Sequence, residues 1–127
     1  MPSTTILFYQ EKNGTVPVLA WLDEIIDSNP KLYARVHALI GGLEAHGRDF
    51  GPPRVKPLGS GIWELRARFN EKNYRVLFFF SGRDEITLSH AFLKDTQLVP
   101  QDEIDLAVKH KQDIERDHDT HIYKELE

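Results

Sequence analysis

Basic side chains recur at two-residue spacing in the middle of this sequence, which is the spacing of neighbours on one face of a β-strand. Arg66 and Arg68 share a face of one predicted strand, and Arg75 lies in the next predicted strand. Lys94 ends a third predicted strand, and Lys56 lies in the loop before the first. If the three strands pair in order, these five cations converge on one concave surface.

Cations gathered in this way suit the cleavage of RNA. Attack of a 2′-hydroxyl on the adjacent phosphate builds negative charge in the transition state, and guanidinium and ammonium groups stabilise that charge without a metal ion or other cofactor. Arginine fits this task because its planar group binds phosphate oxygens in pairs. The alternative is a solvated strand face whose arginines form weak salt bridges, for example Glu64 with Arg66.

His90 is the one histidine in the predicted sheet. Because only histidine normally titrates near neutral pH, His90 is a candidate general acid or base. It alternates with Ile86, Leu88 and Phe92, so we expect all four side chains to lie on one apolar face. The alternative is therefore a half-buried histidine that is satisfied by a backbone partner.

The elements that must position these residues follow from the apolar periodicity. In chain order we predict a strand over 4–10, helices over 16–28 and 29–43, strands over 62–69, 74–81 and 85–93, and a helix over 100–116. This β-α-α-β-β-β-α order predicts an α+β fold: an antiparallel sheet with an N-terminal helical hairpin and a C-terminal helix. We expect all helices to pack on one face of the sheet and to leave the other face partly open.

Glycine and proline mark the remaining segments. Residues 46–61 contain four glycines and three prolines and are predicted to form a loop, which also carries Arg54. After about Arg116 the helical pattern fades, so residues 117–127 are predicted to be a flexible tail. The length suits a single domain over residues 1–127.

Charge is distributed unevenly along the chain. The net charge is −4, yet residues 48–94 carry nine basic and five acidic side chains, and residues 95–127 carry four basic and ten acidic ones. A basic middle segment creates a local field that favours an anionic ligand. The absence of cysteine excludes disulfides and thiolate chemistry. Neither a secretory signal nor a membrane span is predicted, so we expect a cytoplasmic protein.

Three segments carry a resemblance to a known family. They are Lys56–Arg66 (KPLGSGIWELR), Tyr74–Phe79 (YRVLFF) and Leu88–Gln97 (LSHAFLKDTQ). Together they resemble the phage-derived, HigB-like branch of the RelE/ParE toxin superfamily. The resemblance implies a RelE-like fold and the toxin of a type II toxin–antitoxin system, a metal-independent and ribosome-dependent mRNA endonuclease. The implied partners are an antitoxin with a helix-turn-helix domain, the ribosome and mRNA.

The resemblance also assigns roles to residues. Arg66, Arg75 and Lys94 match the basic motif positions of the family, and His90 matches its histidine, so these four are the predicted catalytic residues. Predicted RNA contacts outside that match are Lys56, Arg68 and Arg54. On this assignment, Arg75→Ala would abolish growth inhibition and leave the fold intact.

The sequence departs from the family pattern at two positions and in its acidic total charge. Asp95 stands where a second lysine is usual, and Val99 stands where a threonine cap is common. Two alternatives therefore remain open beside the endonuclease: a ParE-like inhibitor that binds DNA gyrase, and a degenerate, non-catalytic protein that only binds its antitoxin.

Overall fold

A computed structural model describes residues 4–94 and 98–125 of the chain. The strands are β1 (Thr5–Tyr9), β2 (Val55–Gly59), β3 (Ile62–Phe69), β4 (Lys72–Gly82), β5 (Glu85–Lys94) and β6 (Ile122–Tyr123). The helices are α1 (Pro17–Ser28), α2 (Pro30–His46), α3 (Gln101–Arg116) and the short α4 (His118–His121), with a 3₁₀ turn at Gly47–Phe50. None of these helices has the length and apolar character needed to cross a membrane.

One six-stranded sheet, in the order β2-β3-β4-β5-β1-β6, organises the described residues. Strands β2 to β5 form an antiparallel meander. Strand β1 pairs parallel to β5 and antiparallel to β6. The predicted α+β class is confirmed, and the sheet is mostly antiparallel.

The helical hairpin forms where the sequence places proline and asparagine together. Asn29 ends α1 with a backbone hydrogen bond to Ile25, and its side chain accepts a hydrogen bond from the backbone N–H of Leu32 at 3.2 Å. Pro30 starts α2, where its missing N–H costs nothing and its fixed φ suits the first helical position. One short connection therefore joins two helices that pack side by side on the sheet.

The helices cover both faces of the sheet, which corrects the prediction that all of them pack on one face. The hairpin packs against β-strand side chains that include Leu65, Val76 and Phe78. Helix α3 packs on the opposite face, where it joins a second cluster that contains Leu77 and Phe79. The four consecutive buried residues Val76–Phe79 explain this arrangement, because a strand that is apolar on both faces must be covered on both.

The segment 46–61, predicted to be a loop, contains regular structure. Residues Val55–Gly59 pair with β3 as an edge strand. Gly59, Ser60 and Gly61 all adopt positive φ, which closes the tight turn between β2 and β3. Glycine was therefore a signal for a hairpin turn here rather than for an irregular loop.

Part of the segment predicted as a flexible tail also takes up secondary structure. Residues His118–His121 form a helical turn, and Ile122–Tyr123 pair with Phe8 and Tyr9 of β1. The turn is positioned by the imidazole of His121, which donates a hydrogen bond from Nδ1 to the backbone oxygen of Gln10 at 2.8 Å. Such pairing across more than a hundred residues leaves no periodic signal in the local sequence.

Candidate functional site

The register of the meander places the predicted cations on one face of the sheet. Arg66 lies directly opposite Arg75 on the neighbouring strand. Lys94 lies opposite Asn73, which in turn lies opposite Arg68. Lys56 follows on the edge strand, opposite Glu64. Because directly paired residues share a face, these five cations form one surface, which we refer to as the cationic face: Lys56, Arg66, Arg68, Arg75 and Lys94.

The cationic face lies on the α3 side of the sheet, at the end that α3 does not cover. Helix α3 packs over Ile62, Leu77 and Phe79, whereas Arg66 and Arg68 remain exposed. An anionic ligand therefore has access to the open end of this face.

The cations are close enough to influence one another. Partial burial lowers the pKa of Lys94, and the positive charges of Arg75, Arg66 and Lys56 lower it further. The carboxylate of Glu64 acts in the opposite direction. A lysine whose pKa is lowered in this way is better able to exchange a proton than a solvated one.

Arg75 differs from the other members of the cationic face because it is buried. Its side chain and that of Glu64 are each 3% exposed, and its Nε lies 2.5 Å from Oε1 of Glu64. Its Nη1 donates a hydrogen bond to the backbone oxygen of Tyr74 at 3.0 Å. Burial lowers the pKa of Arg75, and the nearby Arg66 acts in the same direction. Arg75, predicted as one of the catalytic cations, is thus held by Glu64, the carboxylate that the sequence suggested for Arg66.

The remaining cations have no such partner. Across residues 4–94 and 98–125, no carboxylate lies within 4.0 Å of the charged groups of Lys56, Arg66, Arg68 or Lys94. Like charges placed opposite each other destabilise a sheet. The positive charge of this face is therefore in excess and is available to an anion. Asp95, expected to weaken the potential beside Lys94, lies outside the described residues.

A hollow of about 430 Å³ opens where the cationic face meets Arg35 and Leu39 of α2. Five arginines and three other residues line it: Arg35, Arg54, Arg66, Arg68 and Arg75, with Leu39, Pro53 and Asn73. Arg54, a predicted RNA contact, packs its guanidinium over the ring of Phe50, 4.6 Å from the ring centre, and this contact holds the side chain in place. Sequence reasoning missed Arg35, because a single exposed arginine on a helix carries no signal of the surface it faces.

His90 does not join the hollow. It lies under α3, is 7% exposed, and its Nε2 is 3.0 Å from Oε1 of Glu103. A β-bulge explains the difference from the predicted alternation, because Leu77 pairs with His90 whereas Phe78 pairs with Leu88, which leaves Ser89 as an extra residue. Ile86 and Leu88 therefore face the helical hairpin, and His90 faces α3.

The bulge creates a chain of buried hydrogen bonds between the sheet and α3. Oγ of Ser89 lies 2.9 Å from Nδ1 of His90 and 2.7 Å from Nδ1 of His110. Because a carboxylate only accepts hydrogen bonds, Nε2 of neutral His90 donates to Glu103 and its Nδ1 accepts from Ser89. Ser89 then accepts from Nδ1–H of His110. His90 thus docks a helix, and burial lowers its pKa, although the hydrogen bond to Glu103 acts in the opposite direction.

This chain of hydrogen bonds predicts a pH-dependent stability. Burial is the largest cause that lowers the pKa of His110 from 6.5 to about 4. Between these values the unfolded chain binds a proton that the folded protein does not bind, so the free energy of unfolding falls as the pH decreases through this range. The loss should reach about 3 kcal/mol. We expect the midpoint of urea denaturation to fall between about pH 6.5 and about pH 4.

Two variants test this assignment. His110→Gln removes the titrating group, so its denaturation midpoint should depend less on pH over the same range. His37→Gln changes an exposed histidine on α2 and should keep the pH dependence of the parent protein. An unchanged pH dependence in His110→Gln would show that another group is responsible.

Within the described ranges, no three histidine, aspartate or glutamate side chains are arranged so that they could hold a metal ion. His118 lies beside Asp119, with Nδ1 3.4 Å from Oδ1, and His121 instead bonds the backbone of Gln10. The cationic face and the hollow therefore remain the candidate site.

Comparison with known proteins bears on this site. A family model described as phage derived protein Gp49-like (DUF891) matches residues 23–112. The matched range contains the whole cationic face, the hollow and most of α3. No curated protein matches the chain.

Proposed function

The chain belongs to the Gp49-like family of phage-derived proteins, a toxin-like family, and from that premise we propose that it is the toxin of a type II toxin–antitoxin pair that cleaves mRNA on the ribosome. Its proposed partners are an antitoxin with a helix-turn-helix domain, the ribosome and mRNA. The proposed site of action is the cytoplasm.

The observation that carries this proposal is the excess positive charge of the cationic face. Arg66 and Arg75 lie directly opposite each other. Of these two arginines, Arg75 has a carboxylate partner in the described part of the chain and Arg66 does not. A cluster of this kind lowers the stability of the fold unless an anion is bound. A phosphodiester that gains negative charge during cleavage supplies that anion, and fixed cations stabilise it most in the transition state.

We propose a different role for each of these cations. Exposed Arg66 is proposed to bind the phosphate oxygens, with Arg75 held behind it by Glu64 as a fixed positive charge. Lys94, whose pKa is lowered, is proposed to transfer a proton. Lys56, Arg68 and Arg54 are proposed RNA contacts. The proposed role of His90 is to hold α3 against the sheet, because its two ring nitrogens are hydrogen-bonded to Glu103 and Ser89.

The proposed reaction has defined products. The 2′-hydroxyl releases its proton to water while its oxygen forms a bond to phosphorus. The bond from phosphorus to the 5′-oxygen breaks, and the 5′-oxygen takes up a proton from the ammonium group of Lys94. The RNA fragments should therefore end in a 2′,3′-cyclic phosphate and begin with a 5′-hydroxyl. Adding the purified protein to a translating extract and sequencing the cleaved ends measures this outcome, with the same protein and RNA in an extract without ribosomes as the control.

The alternatives make different predictions in the same experiment. Intact RNA together with inhibited DNA supercoiling would identify a gyrase inhibitor. Intact RNA and normal supercoiling would leave the non-catalytic, antitoxin-binding protein. Cleavage that is equal with and without ribosomes would contradict ribosome dependence.

A further inference from the structure

We propose that the arginine-lined hollow beside the cationic face is a second phosphate subsite, in which Arg35 of α2 and Arg54 bind a phosphate next to the one that is cleaved. The inference rests on the proposed function and extends it. It implies that the substrate is a continuous single strand that passes around the edge of the sheet, from the face covered by α3 to the side of α2.

The free edge of β3 provides the path. Strand β2 begins at Val55 opposite Leu65, and the last backbone hydrogen bond between the two segments joins the N–H of Arg66 to the oxygen of Arg54. Beyond it, β3 continues through Arg68 to Phe69 without a neighbouring strand on that side among the residues that the structure describes. A ligand on the cationic face therefore meets no strand that would block its passage around this edge.

Helix α2 reaches the uncovered edge with a side chain. Nη1 of Arg35 donates a hydrogen bond to the backbone oxygen of Arg68 at 3.2 Å. This contact uses one N–H of a group that carries five, so most of the guanidinium remains available for a ligand. Leu39, one turn along the helix from Arg35, supplies an apolar wall to the hollow. The side chain of Arg35 therefore lines the hollow instead of extending freely into solvent.

Arg54 also lines the hollow and is also held in place. Its guanidinium lies over the Phe50 ring, and its Nη2 donates to the backbone oxygen of Phe50 at 3.4 Å. Neither Arg35 nor Arg54 has a carboxylate within 4.0 Å among the residues that the structure describes. Two positioned guanidinium groups that line the same hollow of about 430 Å³, and that have no carboxylate partner in the described residues, suit the paired oxygens of a phosphate.

Binding to oligonucleotides of different length tests the subsite. The probes are a dinucleotide and a hexanucleotide with 2′-O-methyl groups, which remove the attacking hydroxyl so that binding is measured without cleavage. We expect Arg35→Gln to weaken binding of the hexanucleotide about tenfold and to leave the dinucleotide unchanged, because the single phosphate of the dinucleotide occupies the cationic face. The slope of log affinity against log salt should fall by about 0.7 for the lost phosphate contact.

Two further variants separate the effect from a change in folding. Arg35→Lys keeps the charge and should retain the salt dependence of the parent. Lys31→Gln removes an exposed cation from the same helix that does not line the hollow, and it should leave binding of both probes unchanged. Equal losses in Arg35→Gln and Lys31→Gln, or an unchanged salt slope in Arg35→Gln, would overturn the subsite.

The subsite and the proposed function fail in different ways. If ribosomal mRNA stays intact but the hexanucleotide keeps its dependence on Arg35, the endonuclease proposal fails and the subsite stands. If mRNA is cleaved while Arg35→Gln binds both probes like the parent, the endonuclease stands and the subsite fails. A hollow that instead receives the carboxylates of a protein partner would give this second result.

Discussion

Replacing Arg66 with alanine should reduce the rate of ribosomal mRNA cleavage about 100-fold, since removal of one donor that stabilises transition-state charge typically has an effect of this size. Arg66 is the exposed member of the cross-strand pair with Arg75 and has no carboxylate partner in the described ranges. Its loss removes a like-charge repulsion, so the folded protein should be no less stable. The measurement is the single-turnover cleavage rate in a translating extract.

Arg83→Ala is a matched control for this substitution. Arg83 is also an exposed arginine of the same sheet, but it lies in the turn between β4 and β5, at the opposite end of β4 from the cationic face. Its replacement changes the net charge by the same amount and should leave the cleavage rate close to that of the parent. Equal rates in Arg66→Ala and the parent would remove Arg66 from the site.

Replacing Arg75 with alanine should lower the free energy of unfolding by about 3–5 kcal/mol, because it leaves the buried carboxylate of Glu64 without its partner. This outcome differs from the expectation based on sequence, in which Arg75→Ala abolished toxicity in an intact fold. Chemical denaturation of the purified variant, followed by circular dichroism, measures the change. A protein that loses toxicity through this substitution would therefore lose it largely through instability.

The double variant Glu64→Leu/Arg75→Met separates stability from function. It replaces both charges with apolar side chains of similar size, which is often neutral or stabilising for a buried ion pair. Stability should recover to near the level of the parent, whereas cleavage should stay reduced because the fixed charge behind Arg66 is gone. Full recovery of cleavage would show that Arg75 serves only the fold.

The cationic face was predictable from the sequence because it depends on two local rules. Side chains alternate along a strand, and the short connections between consecutive strands force them to pair as hairpins. Arg66 and Arg75 then had to meet on the same face. For the same reason, the prediction that Arg66 and Arg68 share one face of a regular strand was correct.

What the sequence could not predict depends on contacts between distant segments. Because Ser89 is an extra residue, the side chains before it in β5 lie on the opposite face from the one that regular alternation with His90 predicts. Nothing in the composition of LSHAF distinguishes a bulge from a regular strand. The choice between Arg66 and Arg75 as the partner of Glu64 depended on which side chain the packing would bury. Arg35 joined the site only because its side chain reaches the backbone of Arg68 at the free edge of β3.

The position of β1 has a consequence for synthesis of the protein. This strand, completed at residue 9, lies between β5 and β6, so its neighbours are translated some 80 and 110 residues later. Loop closure over such separations slows folding, and on the ribosome the sheet stays incomplete until residues 122–123 have emerged. Under the proposed function, this strand order would delay the activity of the protein until β6 is available, which would give an antitoxin time to bind first.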